Sequence, residues 1–405
     1  MGICIKEALR RITKEVKKVS FEILPIENAN QRVSAQDIFV EHSLPLFNNS
    51  AMDGYAVKLA DMGKEVKVID NIFAGSHKQT QIKETQCVKI MTGARVPTSA
   101  QAVVPFELVE IIDENYILLP SKIKNNQHIR FQGEDIKKGE KFLSDGDEIN
   151  FATITMLASQ GISHIKVYKE PKVSVFTSGE ELKLHYEKRE EYQIYNSNTP
   201  TLLARAKELG ADVAFVGMAK DNLDSLKQTI ENSLYSDLII TTGGISQGDA
   251  DFTKEAFESF DMDIIIDGIT IKPGKPTVFG KIKNTYILNL PGNPLASSLI
   301  FEMFGKIILQ KLSGNKNIYH NILLTKMKDK FNNKKGRTTL VPGLFDGEYF
   351  TPSNKRSPGM VSTLQNCNSM MVLNKQNEKI EKDAVIKILP INWKFFTDTK
   401  KDLFN

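Results

Sequence analysis

The sequence predicts a multi-domain protein of the α/β plus β class, built around a doubly wound, mostly parallel sheet. Between residues 170 and 312, short apolar runs alternate with helical periods, the β-α-β rhythm of a parallel sheet. The segments on either side are β in texture, with short alternating or apolar runs set between Gly, Pro, Asn and Asp. A length of 405 residues also exceeds what one core usually organises, so two to four domains are expected.

The centre of the chain carries the strongest signals. Leu238-Ile239-Ile240 is an apolar run that stops at Thr241-Thr242-Gly243-Gly244, as a buried strand does on reaching a loop. Asp249 and Asp251 follow, and Phe252 to Phe260 reads as a helix. A second strand, Tyr286 to Leu290, ends in Pro291-Gly292-Asn293-Pro294 before a helical pattern over 295–312. Both turns are expected to deliver free backbone N–H groups at helix N-termini, which favour anions. Lys272-Pro273-Gly274-Lys275 adds two ammonium groups on a stiff turn. Acids, lysines and N–H groups at one sheet edge point to a phosphorylated or oxyanionic substrate with a divalent cation.

The remaining elements follow in order. Ile5, Ala8, Leu9, Ile12, Val16 and Val19 predict an amphipathic helix over 5–19 with a basic outer face. Residues 44–57 are dense in turn formers, and from there to about 135 a separate β-rich domain is expected. FATITMLASQGI, from Phe151, reads as a helix closed by Gly161. Lys172 to Phe176 is a strand ending in Thr177-Ser178-Gly179-Glu180-Glu181. Asn198-Thr199 is expected to cap a helix that starts at Pro200 and stops at Gly210. Ala211 to Val216 is a strand, and Asp221 is expected to cap a helix reaching Leu234. Residues 320–390 predict a small β-barrel or sandwich.

Composition narrows the function. Charged residues make up 25% and the net charge is +4, too balanced to argue for nucleic acid. Cys4, Cys87 and Cys367 lie far apart, which fits reduced thiols and a cytoplasmic location rather than a disulfide framework or a zinc site. No segment resembles a signal peptide or a membrane span, and Lys6 stands where a myristoylation motif needs Ser or Thr. Six histidines show no i, i+4 pairing. The candidate metal ligands, Asp249, Asp251, Glu180 and Glu181, are all oxygen donors, so Mg²⁺ is expected over zinc. The bland alternatives are that Asp249 and Asp251 cap a helix, that Asp53-Gly54 is a hairpin turn, and that Asp135 is a turn residue or a cap.

A dense set of motifs decides among these. Ser50-Ala51-Met52-Asp53-Gly54-Tyr55-Ala56, Thr92-Gly93-Ala94, Arg130 with Gly133-Glu134-Asp135-Ile136, Thr177 to Glu181, Thr242-Gly243-Gly244, Gly248 to Lys254, Lys272 to Pro276 and Leu290 to Pro294 occur in order. In that order and spacing they resemble the MoeA family of molybdenum insertases, related to the E domain of gephyrin. The resemblance spans nearly the whole chain. It implies a split N-terminal domain (1–45 and 136–168), an inserted β-rich domain (46–135), a MoaB/Mog-like molybdopterin-binding α/β domain (169–316) and a C-terminal β-barrel (317–405). It further implies an elongated homodimer that takes adenylylated molybdopterin and molybdate and releases molybdenum cofactor and AMP with Mg²⁺.

The same resemblance assigns roles by position. Glu181 and Asp251 are expected to hold the metal and the phosphate end, with Asp221 a lesser candidate. Thr177, Ser178, Gly179, Gly243 and Gly244 lie on the substrate loops, and Pro291, Gly292, Asn293 and Pro294 shape the turn near the pterin. Lys272, Lys275, Arg337 and Ser357 are the expected molybdate ligands. Asp53, Thr92 and Asp135 are expected to complete the site from the other subunit. The chain departs from the family pattern at Glu180 (usually Asp), at Ala296 (often Ser, with Ser297 the nearest hydroxyl) and at Pro342, where a second arginine is lost and Arg356 stands nearby. Two other readings compete: a molybdopterin adenylyltransferase, also a candidate partner, which would not need the flanking β domains, and a scaffold without catalysis, which would not need Glu181, Asp251 and both lysines.

Overall fold

The computed structural model describes residues 2–243, 252–334, 336–376 and 379–392. The chain divides into two compact units, one comprising the described residues of 1–36, 145–154 and 163–405, the other 37–144 and 155–162.

The larger unit holds a six-stranded sheet in the order Asp212–Ala219, Lys172–Ser178, Leu238–Thr242, Thr285–Leu290, Val278–Ile282, Asp263–Asp267. The first four strands are parallel, and the last two join antiparallel at one edge. Val175, Ile240 and Leu288 face one apolar cluster with Leu202, Leu295 and Leu299 from the helices. Phe176, Ile239 and Ile287 face another with Leu226, Ile230 and Phe257. Covering on both faces is why these strands read as continuous apolar runs rather than alternating ones.

Several boundaries differ from expectation, each for a local reason. The N-terminal helix is Ile5–Glu15 and does not reach Val19. Val16 is extended, the Lys17 N–H donates to the Tyr286 hydroxyl at 3.1 Å, and the Val19 N–H donates to Leu312 O at 2.9 Å. These tertiary bonds outcompete a further helical turn. The helix expected from Pro200 is Asn198–Glu208, and its first turn is satisfied by Asn196, whose Oδ1 accepts the Thr199 N–H at 3.1 Å. It ends as expected at Gly210, which sits at φ +80°. The next helix is Leu223–Glu231, capped by Asn222 rather than Asp221: the Asn222 side chain accepts the Ser225 N–H at 2.9 Å. The pattern over 295–312 is interrupted by a π-helical turn, Phe301–Gly305. A Cβ on Gly305 would lie 2.4 Å from the Phe301 ring, so glycine lets that ring fold over the bulge.

The C-terminal part of this unit closes as a barrel, not a sandwich. Strands Thr338–Phe345, Tyr349–Pro352, Leu323–Met327, Val385–Pro390 and Ser369–Leu373 form a ring because the first also pairs with the last. Met327, Val341, Phe350, Met371 and Ile388 fill it. Two features tie the barrel to the α/β sheet. The short strand Ile271–Lys272 pairs parallel with Thr338-Thr339. Arg205, half-buried on its helix, grips Glu302 at 2.6 and 3.1 Å and donates to Ile391 O at 2.7 Å.

The smaller unit contains a six-stranded sheet in the order Ala102–Pro105, Gly54–Val57, Gln86–Ile90, Glu65–Ile72, Tyr116–Leu118, Glu110–Ile111. Gly54 is required where it stands, since a Cβ there would lie 2.1 Å from Val104 O. Phe151–Ser159 is the expected helix, closed by Gly161 at φ +73°. Among the described residues no helix is long and apolar enough to cross a membrane.

The corrected cap gives a direct test. Asn222→Ala should lower stability by about 1 kcal/mol, whereas Asp221→Ala should leave thermal unfolding unchanged. Equal losses in the two variants would contradict the assignment.

Candidate active site

A cavity of about 430 Å³ opens at the carboxyl ends of the parallel strands. Its floor begins with Thr177 and Ser178, both buried at the end of strand Lys172–Ser178. The Thr177 hydroxyl lies 3.1 Å from both the carbonyl and the hydroxyl of Thr242, which bolts this strand end to its neighbour. Gly243 then turns at φ +93°, and a Cβ would lie 3.0 Å from Ser178 O, so the close approach of the two loops needs glycine. Gly179, at φ +144°, leaves room for the Glu181 carboxylate, which folds back over it. Glu181 is exposed and lines the cavity. Released from capping, Asp221 reaches this loop instead, and its Oδ2 accepts the Glu180 N–H at 3.2 Å.

The opposite wall is the turn Pro291-Gly292-Asn293-Pro294, all four residues of which line the cavity. Here one expectation fails. Pro294 has no N–H, the Leu295 N–H donates to Pro358 O at 2.9 Å, and the Ser297 N–H donates to Asn293 O at 2.9 Å. The Leu295 N–H of this helix terminus is therefore taken by the barrel loop rather than left open for an anion. Ser297, the candidate substitute for the hydroxyl lost at Ala296, is buried, and its Oγ has no hydrogen-bond partner among the described residues.

Positive charge arrives from a third side. The turn after Lys272 packs on the helix behind the cavity, where a Cβ on Gly274 would lie 2.2 Å from Ile300. Pro276 joins the cavity lining. Lys272 stands opposite Thr339 in the parallel pair with the barrel, two residues from Arg337. Lys272, Lys275 and Arg337 are all exposed. The loop carrying Ser357 approaches the same helix terminus, since Pro358 accepts from Leu295 and Gly359 lies near the Asn293 amide. The sheet and barrel thus bring together segments up to 182 positions apart in sequence: the 177–181 loop, the 243 turn, the 272–276 turn, the 291–294 turn and the 357–359 loop all belong to this region of the larger unit. Gly244, Asp249 and Asp251 lie outside the described residues.

In the smaller unit, Asp53 and Thr92 meet. Asp53 Oδ1 accepts the Thr92 N–H at 2.7 Å and its hydroxyl at 2.8 Å, and these bonds, backbone first, hold the carboxyl below its ordinary value. Asp135 is exposed, and its N–H donates to Leu44 O at 3.0 Å.

This constellation has counterparts. Three family models match in succession: the MoeA N-terminal region (domain I and II) over residues 3–161, a "probable molybdopterin binding domain" over 174–311, and the MoeA C-terminal region (domain IV) over 325–391. A molybdopterin molybdenumtransferase of Staphylococcus epidermidis is 33% identical over 383 residues, covering 92% of this chain and 91% of the relative. The chain belongs to the MoeA family. A second such enzyme, from Haemophilus influenzae, is 37% identical over 298 residues, with 73% of this chain and 74% of the relative covered. The MoeA molybdopterin biosynthesis protein of Pyrococcus horikoshii superposes with a TM-score of 0.84 at 27% identity, over 97% of this chain and 100% of that one.

The MoeA-family motifs pointed to most of the lining, but one wall went unread. Ile194, Tyr195, Asn196, Ser197 and Asn198 also line the cavity. The signal was present in Asn196-Ser197-Asn198, because two asparagines before one helix are more than a cap needs.

Because the folded Asp53 carboxyl is depressed, the stability it contributes is present above the pKa of the unfolded chain and is lost as pH falls through the folded value. Thr92→Val removes the hydroxyl donor and keeps the N–H. Asp53 should then titrate at higher pH in a carbon-13 NMR titration; an unmoved titration would rule out the hydroxyl's part.

Proposed function

We propose that this chain is a molybdopterin molybdenumtransferase, which takes adenylylated molybdopterin and molybdate, cleaves the phosphoanhydride in the presence of Mg²⁺, and yields molybdenum cofactor and AMP. Membership of the MoeA family makes it an enzyme of molybdenum cofactor biosynthesis. The observation that supports the finer reading best is the cavity itself, where an exposed carboxylate, two glycine-permitted turns and a nearby set of cations converge at the strand ends.

Each side chain then has a task within its chemistry. Lys272, Lys275 and Arg337 attract molybdate, a tetrahedral dianion, and Ser357 offers it a hydroxyl. Thr177, Ser178, Gly179 and Gly243 form the strand-end floor under the phosphates, with Asp221 steadying the 179–181 loop. Pro291, Gly292, Asn293 and Pro294 form the wall that the pterin end meets. Asp53, Thr92 and Asp135 complete the site from a second copy of the chain.

The donor set suits magnesium. Among the described residues no three His, Cys, Asp or Glu side chains form a cage. Mg²⁺ does not need one, since it is commonly held by one or two carboxylates together with substrate phosphates and water. Glu181 and Asp251 would hold it, and bound there it would neutralise charge developing on the leaving phosphate. The fold of the Glu181 carboxylate back over Gly179 supports this role.

AMP release from adenylylated molybdopterin should require Mg²⁺ and molybdate in the wild type and be lost in Asp251→Ala. No release from folded wild-type protein would overturn the proposal. Sharing of the site is tested separately by mixing two inactive variants, Asp53→Ala and Glu181→Ala. If each site draws on both subunits, remixed dimers should recover roughly a quarter of wild-type activity, since half are mixed and each restores one site. No recovery despite subunit exchange would place both residues in one subunit's site.

A further inference from the structure

We infer that Asn198 is a positioning residue, which fixes the Pro291–Pro294 turn and thereby the wall that the pterin end of the substrate meets; this rests on the function proposed above. Asn198 opens the helix Asn198–Glu208 and lines the cavity. Its Nδ2 donates to Gly292 O at 2.7 Å. That bond joins the unread wall of the cavity to the turn on its far side.

Three features separate this asparagine from an ordinary helix cap. Capping is already done by Asn196, whose Oδ1 accepts the Thr199 N–H at 3.1 Å and whose Nδ2 donates to Thr199 Oγ1 at 2.9 Å. Asn198 is therefore free to serve the turn. Its amide has one workable orientation, because flipping it would set Oδ1 against the Gly292 carbonyl, acceptor against acceptor. In that orientation Oδ1 is sealed from solvent and has no donor among the described residues. A buried acceptor left unpaired is destabilising, so a side chain serving stability alone is poorly chosen here. An asparagine that anchors a substrate-facing turn explains both ends of the amide.

Gly292 is also where such an anchor has most effect. A Cβ on it would lie 3.6 Å from the Gly243 Cα, so the turn rests on the neighbouring strand-end loop. Leu295, on its other side, is already tied to Pro358. Loss of the Asn198 bond releases the middle of the turn while its ends stay fixed. The wall then shifts, but the 177–181 and 272–276 loops, which carry the acids and lysines, do not. Substrate recognition should suffer and the chemical step should not.

The test compares Asn198→Ala, which removes the whole amide, with Asn198→Asp, which keeps its size but turns an acceptor toward Gly292 O. Both should raise KM for adenylylated molybdopterin by about tenfold, the worth of one hydrogen bond, with kcat within about threefold of wild type. The Asn198→Ala protein should also unfold at the wild-type temperature or above it, since an orphaned carbonyl is removed. Unchanged KM in both variants would overturn the inference, as would a KM change accompanied in both by a lower unfolding temperature, which marks a structural role. Wild-type protein that fails to turn over the substrate would instead overturn the function proposed above, and the inference with it.

Discussion

Burial of the parallel strands on both faces is the constraint from which the site follows. Leu238–Thr242 and Thr285–Leu290 are buried at every position, and each needs apolar cover above and below. Helices packed on the two faces provide that cover, and the four parallel strands point their carboxyl ends the same way. The loops after residues 178, 242 and 290 are thereby gathered at one edge. Threonine and glycine at those ends are consequences of the same geometry: the Thr177 and Thr242 hydroxyls satisfy one another where the ladder stops, and Gly243 lets the backbone pass Ser178 O.

The barrel supplies what the sheet lacks. A two-residue strand, Ile271–Lys272, leaves the α/β sheet to become an edge of the barrel, and its register sets Lys272 opposite Thr339. This is how a lysine and Arg337, separated by more than sixty residues of sequence, come to share one region. The barrel loop that carries Ser357 docks on the helix terminus at Pro294 in the same way, since Pro358 takes the Leu295 N–H.

Much of this was legible in the sequence because it depends on patterns that few structures share. Apolar runs ending in Thr-Gly-Gly or Pro-Gly-Asn-Pro report a buried strand reaching a turn, and Thr242, Gly243 and the Pro291–Pro294 turn line the cavity. The α/β class was readable from the alternation of apolar runs and helical periods, and the stops at Gly161 and Gly210 because glycine at positive φ leaves a local mark. Caps were less legible. Asp221 and Asn222 are both good N-cap residues, and sequence alone cannot rank them; the structure shows Asn222 facing Ser225 while Asp221 is drawn to Glu180. The early end of the first helix and the docked terminus at Pro294 were not legible, because both depend on partners, Tyr286 and Pro358, that only tertiary structure brings near.

The polar atoms that remain unpaired complete the picture. Thr241 and Asn289 are register partners on adjacent strands, both buried, and among the described residues neither the threonine hydroxyl nor either end of the amide has a hydrogen bond. Ser297 Oγ and Asn198 Oδ1 share that condition, and both belong to the helices that begin at the cavity. Leaving such groups unsatisfied costs about 1–3 kcal/mol each, and a sheet optimised for stability would carry Val or Leu in their place. The pair Thr241 and Asn289 stands toward the carboxyl ends of the two central strands, whereas Leu238 and Tyr286 at the amino ends pack into the apolar core. The amino half is built to fold, and the carboxyl half keeps polar atoms that folding alone does not require.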